Sequence, residues 1–78
     1  MIKTVIYNGD KYDVKKETKT TNGTNITLRE LIKTDLSTFV VILVNDDNSE
    51  ESAMLNYNSF DWDTKKYKIV AREKDFKR

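Results

Sequence analysis

Six carboxylates lie between residues 38 and 63 with no lysine or arginine among them: Asp46, Asp47, Glu50, Glu51, Asp61 and Asp63. Residues 64–78 reverse the sign, with Lys65, Lys66, Lys68, Arg72, Lys74, Lys77 and Arg78 against Glu73 and Asp75. The 78-residue chain as a whole carries a net charge of only +1. An acidic segment followed by a basic one offers partners two electrostatically distinct surfaces.

Those residues suit binding better than catalysis. The chain has no His and no Cys, so the commonest general base and the best nucleophile are missing. The carboxylate pairs fall in polar segments, where water keeps both members ionised and neither pKa moves toward neutrality. With only Gly9 and Gly23 there is no glycine-rich phosphate loop. No catalytic residue is expected, and the chain is read as a non-enzyme. Structural zinc and disulfides are excluded by the same composition. The run from Asn45 to Glu51 is rich in oxygen ligands, but it lacks the glycine that a calcium loop of this kind needs at its sixth position. No metal or cofactor is expected.

Two binding chemistries remain. Spaced carboxylates can imitate the phosphates of DNA and occupy the basic groove of a nucleic-acid enzyme. Trp62, between Asp61 and Asp63, is an aromatic in a polar segment and suits an interface anchor. It also suits folding back with Phe60 to cover a small core, as so small a domain needs its large apolar residues. Asp46, Asp47, Glu50, Glu51, Asp61, Trp62 and Asp63 form the first candidate partner-binding set. The alternative set is Lys65, Lys66, Lys68, Arg72 and Lys74, which can follow a phosphate backbone. Lys11, Lys15, Lys16 and Lys19 would add to it if their hairpin lies nearby. The same lysines also serve to protect an exposed strand edge.

The elements that must position these residues are short. Ile2–Tyr7 and Lys11–Lys16 flank Asn8-Gly9, the signature of a type I′ hairpin turn. Thr27-Leu28-Arg29-Glu30 fits a capping box, with Ile26 and Leu31 as a hydrophobic staple. Leu28, Leu31, Ile32 and Leu36 continue at helical spacing, so a helix is predicted over about residues 28–36. Thr38–Val44 is a continuous β-branched and aromatic run that suits a strand buried on both faces. Ser52–Tyr57 and Lys66–Glu73 alternate like half-buried strands. The predicted fold is α+β, in the order β-β-α-β-β-β, with one short helix on a mostly antiparallel sheet. A single domain over 1–78 is expected, with 74–78 as a frayed tail. Its core is thin, and homodimerisation is one way to enlarge it.

The run Asp46-Asp47-Asn48-Ser49-Glu50-Glu51-Ser52-Ala53-Met54-Leu55, followed by Tyr67-Lys68-Ile69-Val70, resembles the C-terminal hairpin region of the phage uracil-DNA glycosylase inhibitor family. In size and character the chain is also similar to small phage-encoded anti-CRISPR proteins. It departs from the inhibitor family in its net charge. It departs again at Arg29, Glu30, Lys33 and Asp35, where the family is acidic. The resemblance implies a phage or mobile-element protein serving host-defence evasion. Such a protein binds and inhibits a host protein, such as a nucleic-acid-processing enzyme or CRISPR effector, through its acidic surface as a DNA mimic. The bias to Lys, Asn, Asp and Thr matches coding in low-GC bacteria and their phages. A nucleic-acid-binding module is the alternative, and a structural protein self-associating through edge strands is another. No secretory signal or apolar run long enough for a bilayer is visible, so a cytoplasmic location in the host cell and no membrane partner are expected.

Overall fold

The computed structural model describes residues 1–21, 23–57 and 65–73. Its six strands are β1 (Ile2–Tyr7), β2 (Asp10–Thr20), β3 (Gly23–Leu28), β4 (Thr38–Asn45), β5 (Glu50–Tyr57) and β6 (Lys66–Arg72). They form a closed antiparallel barrel in the order β1-β2-β3-β6-β5-β4, with β4 pairing back onto β1. Asp61, Trp62, Asp63 and Lys74, and the expected frayed tail, lie outside the described residues.

Local chemistry sets the first hairpin. Asn8 and Gly9 both have positive φ, 53° and 84°, and Tyr7 pairs with Asp10 across a two-residue loop. That is the type I′ geometry, whose twist matches the strands it joins. Closure comes from the length of β2 and from three register breaks. The first part of β2 pairs with β1, and Val14–Thr20 pairs with β3, with a shift between Val14 and Lys16 at the changeover. Further shifts fall between Ile2 and Thr4 and between Met54 and Leu55. Such bulges bend a strand and increase its twist, which a six-stranded sheet needs in order to close on itself. The break after Ile2 also turns its side chain inward, so that Ile2 and Val5 are both buried.

The α+β class expected from the sequence is corrected to all-β. Thr24–Thr27, the approach to the predicted helix, pairs with Lys66–Ile69 on β6. Leu28 then donates its amide to the Lys65 carbonyl (3.1 Å). The helix was only nine residues long, too short to persist on propensity alone. Two strand ladders on β3 outweigh one capping box. Residues 29–37 instead form an irregular segment across one end of the barrel. Ile32 is buried there, while Leu31 and Leu36, meant for the helix's apolar face, are 44% and 55% exposed.

Tyrosine hydroxyls replace the missing helical hydrogen bonds. Tyr67 accepts the Ile32 amide (3.0 Å), Tyr12 accepts the Lys33 amide (3.2 Å), and Tyr7 donates to Thr34 Oγ1 (3.1 Å). Buried amides need such partners. Two of these rings, Tyr7 and Tyr67, belong to an aromatic chain with Phe39 and Tyr57: Tyr7–Phe39, Phe39–Tyr67 and Tyr57–Tyr67, with centroids 5.0, 6.0 and 5.2 Å apart.

The core is a single cluster inside the barrel, around Val5, Ile26, Leu28, Leu43, Leu55 and Tyr67. β4 contributes Phe39, Val41 and Leu43 and points Val40 and Ile42 outward. Thr38–Val44 is therefore half-buried by alternation rather than buried on both faces, because a barrel has one packed side and one wet one.

Candidate nucleic-acid interface

Registers on the outer wall bring together cations that are far apart in sequence. Lys16 faces Thr27 across β2–β3, and Thr27 faces Lys66 across β3–β6. The row Lys16–Thr27–Lys66 therefore crosses three neighbouring strands, which lie roughly 4.8 Å apart. Lys15 occupies the register break in β2, Lys65 the residue before β6, and Arg29 the residue after β3. Arg29 is held there by its amide, which donates to the Asp13 carbonyl (3.1 Å).

These residues line one groove of about 430 Å³, together with Thr18 and Leu28. Lys15, Lys16, Arg29, Lys65 and Lys66 supply five cations, and no carboxylate among the described residues lines it. A concave surface of one sign focuses its field and concentrates counter-ions of the other. Lys65 has a positive φ of 52°, an uncommon conformation for a residue with a Cβ. The ladder bond from Leu28 to its carbonyl fixes that turn.

The remaining basic candidates are separate from the groove. Lys68 lies on the next outward row, opposite Asn25 on one side and Asn56 on the other. Arg72 is opposite the buried Ala53 and so points to the barrel interior. It meets Glu51 in a two-pronged pair, Nε to Oε1 at 2.5 Å and Nη2 to Oε2 at 2.9 Å, with both side chains about a quarter exposed.

The acidic candidates sit on the β4–β5 turn, and their charges are partly engaged there. Asp47 accepts the Ser49 hydroxyl (2.6 Å) and amide (3.0 Å). Those bonds hold its carboxyl below the usual carboxylate value. Asp46 lies 3.6 Å from the Met1 amino group, and its amide donates to the Met1 carbonyl (2.8 Å). Lys3 bonds Asn48 at the turn's apex. Glu51 belongs to the Arg72 pair, which leaves Glu50 pointing outward, opposite Val44. Among the described residues the acidic set is thus divided between the β4–β5 turn, the outer wall at Glu50 and the barrel interior at Glu51.

Sequence reasoning named Lys65 and Lys66 and attached Lys15 and Lys16 on condition of proximity, which the β2-β3-β6 order meets. Arg29 was expected in the first turn of the predicted helix, and its place in the groove was not foreseen. Only the pairing of β3 with β6 reveals that place.

Comparison of the chain with protein-family models, with curated proteins and with solved structures returns no match.

Proposed function

We propose that this protein is a small β-barrel binding module that holds nucleic acid by the phosphates of one strand, in the groove between β2, β3 and β6. The observation that carries it is the convergence of Lys15, Lys16, Arg29, Lys65 and Lys66 on a single concavity that no carboxylate among the described residues lines. Phosphate contacts by Lys and Arg supply most of the affinity in sequence-independent binding, through release of counter-ions. The groove is within the size range of small-ligand clefts, about 300–1,000 Å³. It suits a single backbone better than a duplex, because the six described elements all belong to the wall and none projects to enter a duplex groove. Thr18 and Thr27 add hydroxyls that can donate to phosphate oxygens.

The test is fluorescence anisotropy with a labelled oligothymidylate and a labelled duplex at low salt. Lys65→Asn, which tolerates the positive φ, and Lys66→Gln should each weaken oligonucleotide binding several-fold. Glu50→Gln, at the start of β5 and outside the groove, should leave it unchanged. Wild-type protein that binds neither probe would end the proposal.

The acidic turn supports inhibition of a host protein less well, because Glu51 faces Arg72 and Asp47 is spent on Ser49. Its own test is partner capture with Asp46, Asp47 and Glu50 neutralised.

A further inference from the structure

A second surface lies to one side of the groove. On the outer wall Val40 faces Met54, and Met54 faces Ala71. Two residues further along β4, Ile42 faces Ile6. Val70 points outward by alternation with the buried Ile69, and the register break in β6 turns Ala71 outward beside it. Val40, Val70 and Ile42 are 59%, 52% and 39% exposed. The result is a continuous apolar stripe across β1, β4, β5 and β6. Scattered exposed apolar residues are ordinary on a protein surface, but a contiguous stripe on a domain with so small a core marks an interface.

The barrel has no free edge among its described strands, so self-association by strand addition is closed to it. Association through the face is not. The charges bordering the stripe name the occupant. On the β5 strand, Glu50 and Asn56 lie equally far from Ala53 in opposite directions, and Lys68 is the cross-strand neighbour of Asn56. Ala53 itself pairs with Val41, whose neighbours Val40 and Ile42 head the stripe. A two-fold axis running across the strands through the Val41–Ala53 pair would therefore lay Val40 of one copy on Ile42 of the other. The same axis would bring each Glu50 beside the other copy's Lys68. A surface with an apolar centre, an acid on one side and a cation on the other is complementary to itself.

We infer that the outer face of β4–β5 is a two-fold homodimer interface, with the Val40/Ile42/Met54 stripe at its centre and two symmetric Glu50–Lys68 pairs flanking it. This surface does not depend on the groove or its ligand.

The experiment is sedimentation equilibrium on the full chain, from about 1 μM to about 1 mM, a range that covers weak and tight dimers. Wild-type protein should show a concentration-dependent doubling of mass. Val40→Thr with Ile42→Thr, which keeps β-branching at both exposed sites, should give a monomer. Glu50→Lys alone and Lys68→Glu alone should each weaken the dimer about tenfold, by placing like charges together twice. Both changes in one chain should restore it. A wild-type monomer throughout the range, a dimer untouched by the threonine changes, or a charge swap that fails to restore assembly would overturn the proposal. If the threonine variant does not fold, the charge swap decides alone.

Discussion

The Tyr67 hydroxyl accepts the Ile32 amide at 3.0 Å across the mouth of the barrel. Tyr67 is 2% exposed and Ile32 5%, so this bond is shielded from water. It ties β6, which begins at the groove lysine Lys66 directly after Lys65, to the segment that begins at Arg29. One phenol therefore helps to hold both sides of the proposed binding groove.

Tyr67→Phe keeps the ring contacts with Phe39 and Tyr57 and removes only the acceptor. A buried amide left without a partner costs about 1–3 kcal/mol. Urea denaturation should show a loss in that range with an unchanged slope. A variant as stable as the wild type would show that the 29–37 segment is held by apolar contact alone.

The same phenol sets a limit at high pH. Burial pushes its pKa above the ordinary 10.0, outweighing the opposing effect of the Ile32 amide. The fold therefore favours the neutral form. Its contribution is complete below the pKa of an unfolded tyrosine, about 10, and is lost as pH rises through the folded value. Stability followed by urea midpoint should fall above about pH 10, and Tyr67→Phe should flatten that part of the curve. An alkaline decline of equal steepness in the variant would assign it to other groups.

Glu51 and Arg72 close the opposite end of the barrel from within. Each is about three-quarters buried, and the pair is two-pronged, the stronger form of charge-assisted bond. Arg72→Ala should cost about 1.5–3 kcal/mol, the range for hydrogen bonds to charged groups. In a double-mutant cycle with Glu51→Ala, the residues should couple, so that the second loss is smaller than the first. Additive losses would mean that the two act independently.

How much of this was legible in the sequence depends on range. The Asn8-Gly9 turn was, because its φ requirement is local. So were the strands that alternate on either side of it and those expected at Ser52–Tyr57 and Lys66–Glu73, which form as Glu50–Tyr57 and Lys66–Arg72. Residues 26–32 were not, since Ile26 and Leu28 satisfy a period of two while Leu28, Leu31 and Ile32 satisfy a helical one. The choice between them was made by β6, some forty residues away. The candidate site shows the same division. Lys65 and Lys66 stood out as charges, but their meeting with Lys15, Lys16 and Arg29 required the strand order. The acidic segment looked uncompensated because Arg72, its partner at Glu51, lies 21 residues further along the chain.

The central claim is that five groove cations neutralise phosphates, and the salt dependence of binding measures that count. For oligothymidylate, the logarithm of affinity should fall linearly with the logarithm of salt concentration. The slope should be roughly −0.7 for each phosphate neutralised, which gives roughly −2 to −3.5 for three to five contacts. Replacing Lys65 and Lys66 together should make that slope shallower by about 1.4. A slope near zero in the wild type, or one that the double replacement leaves unchanged, would contradict the assignment of the groove.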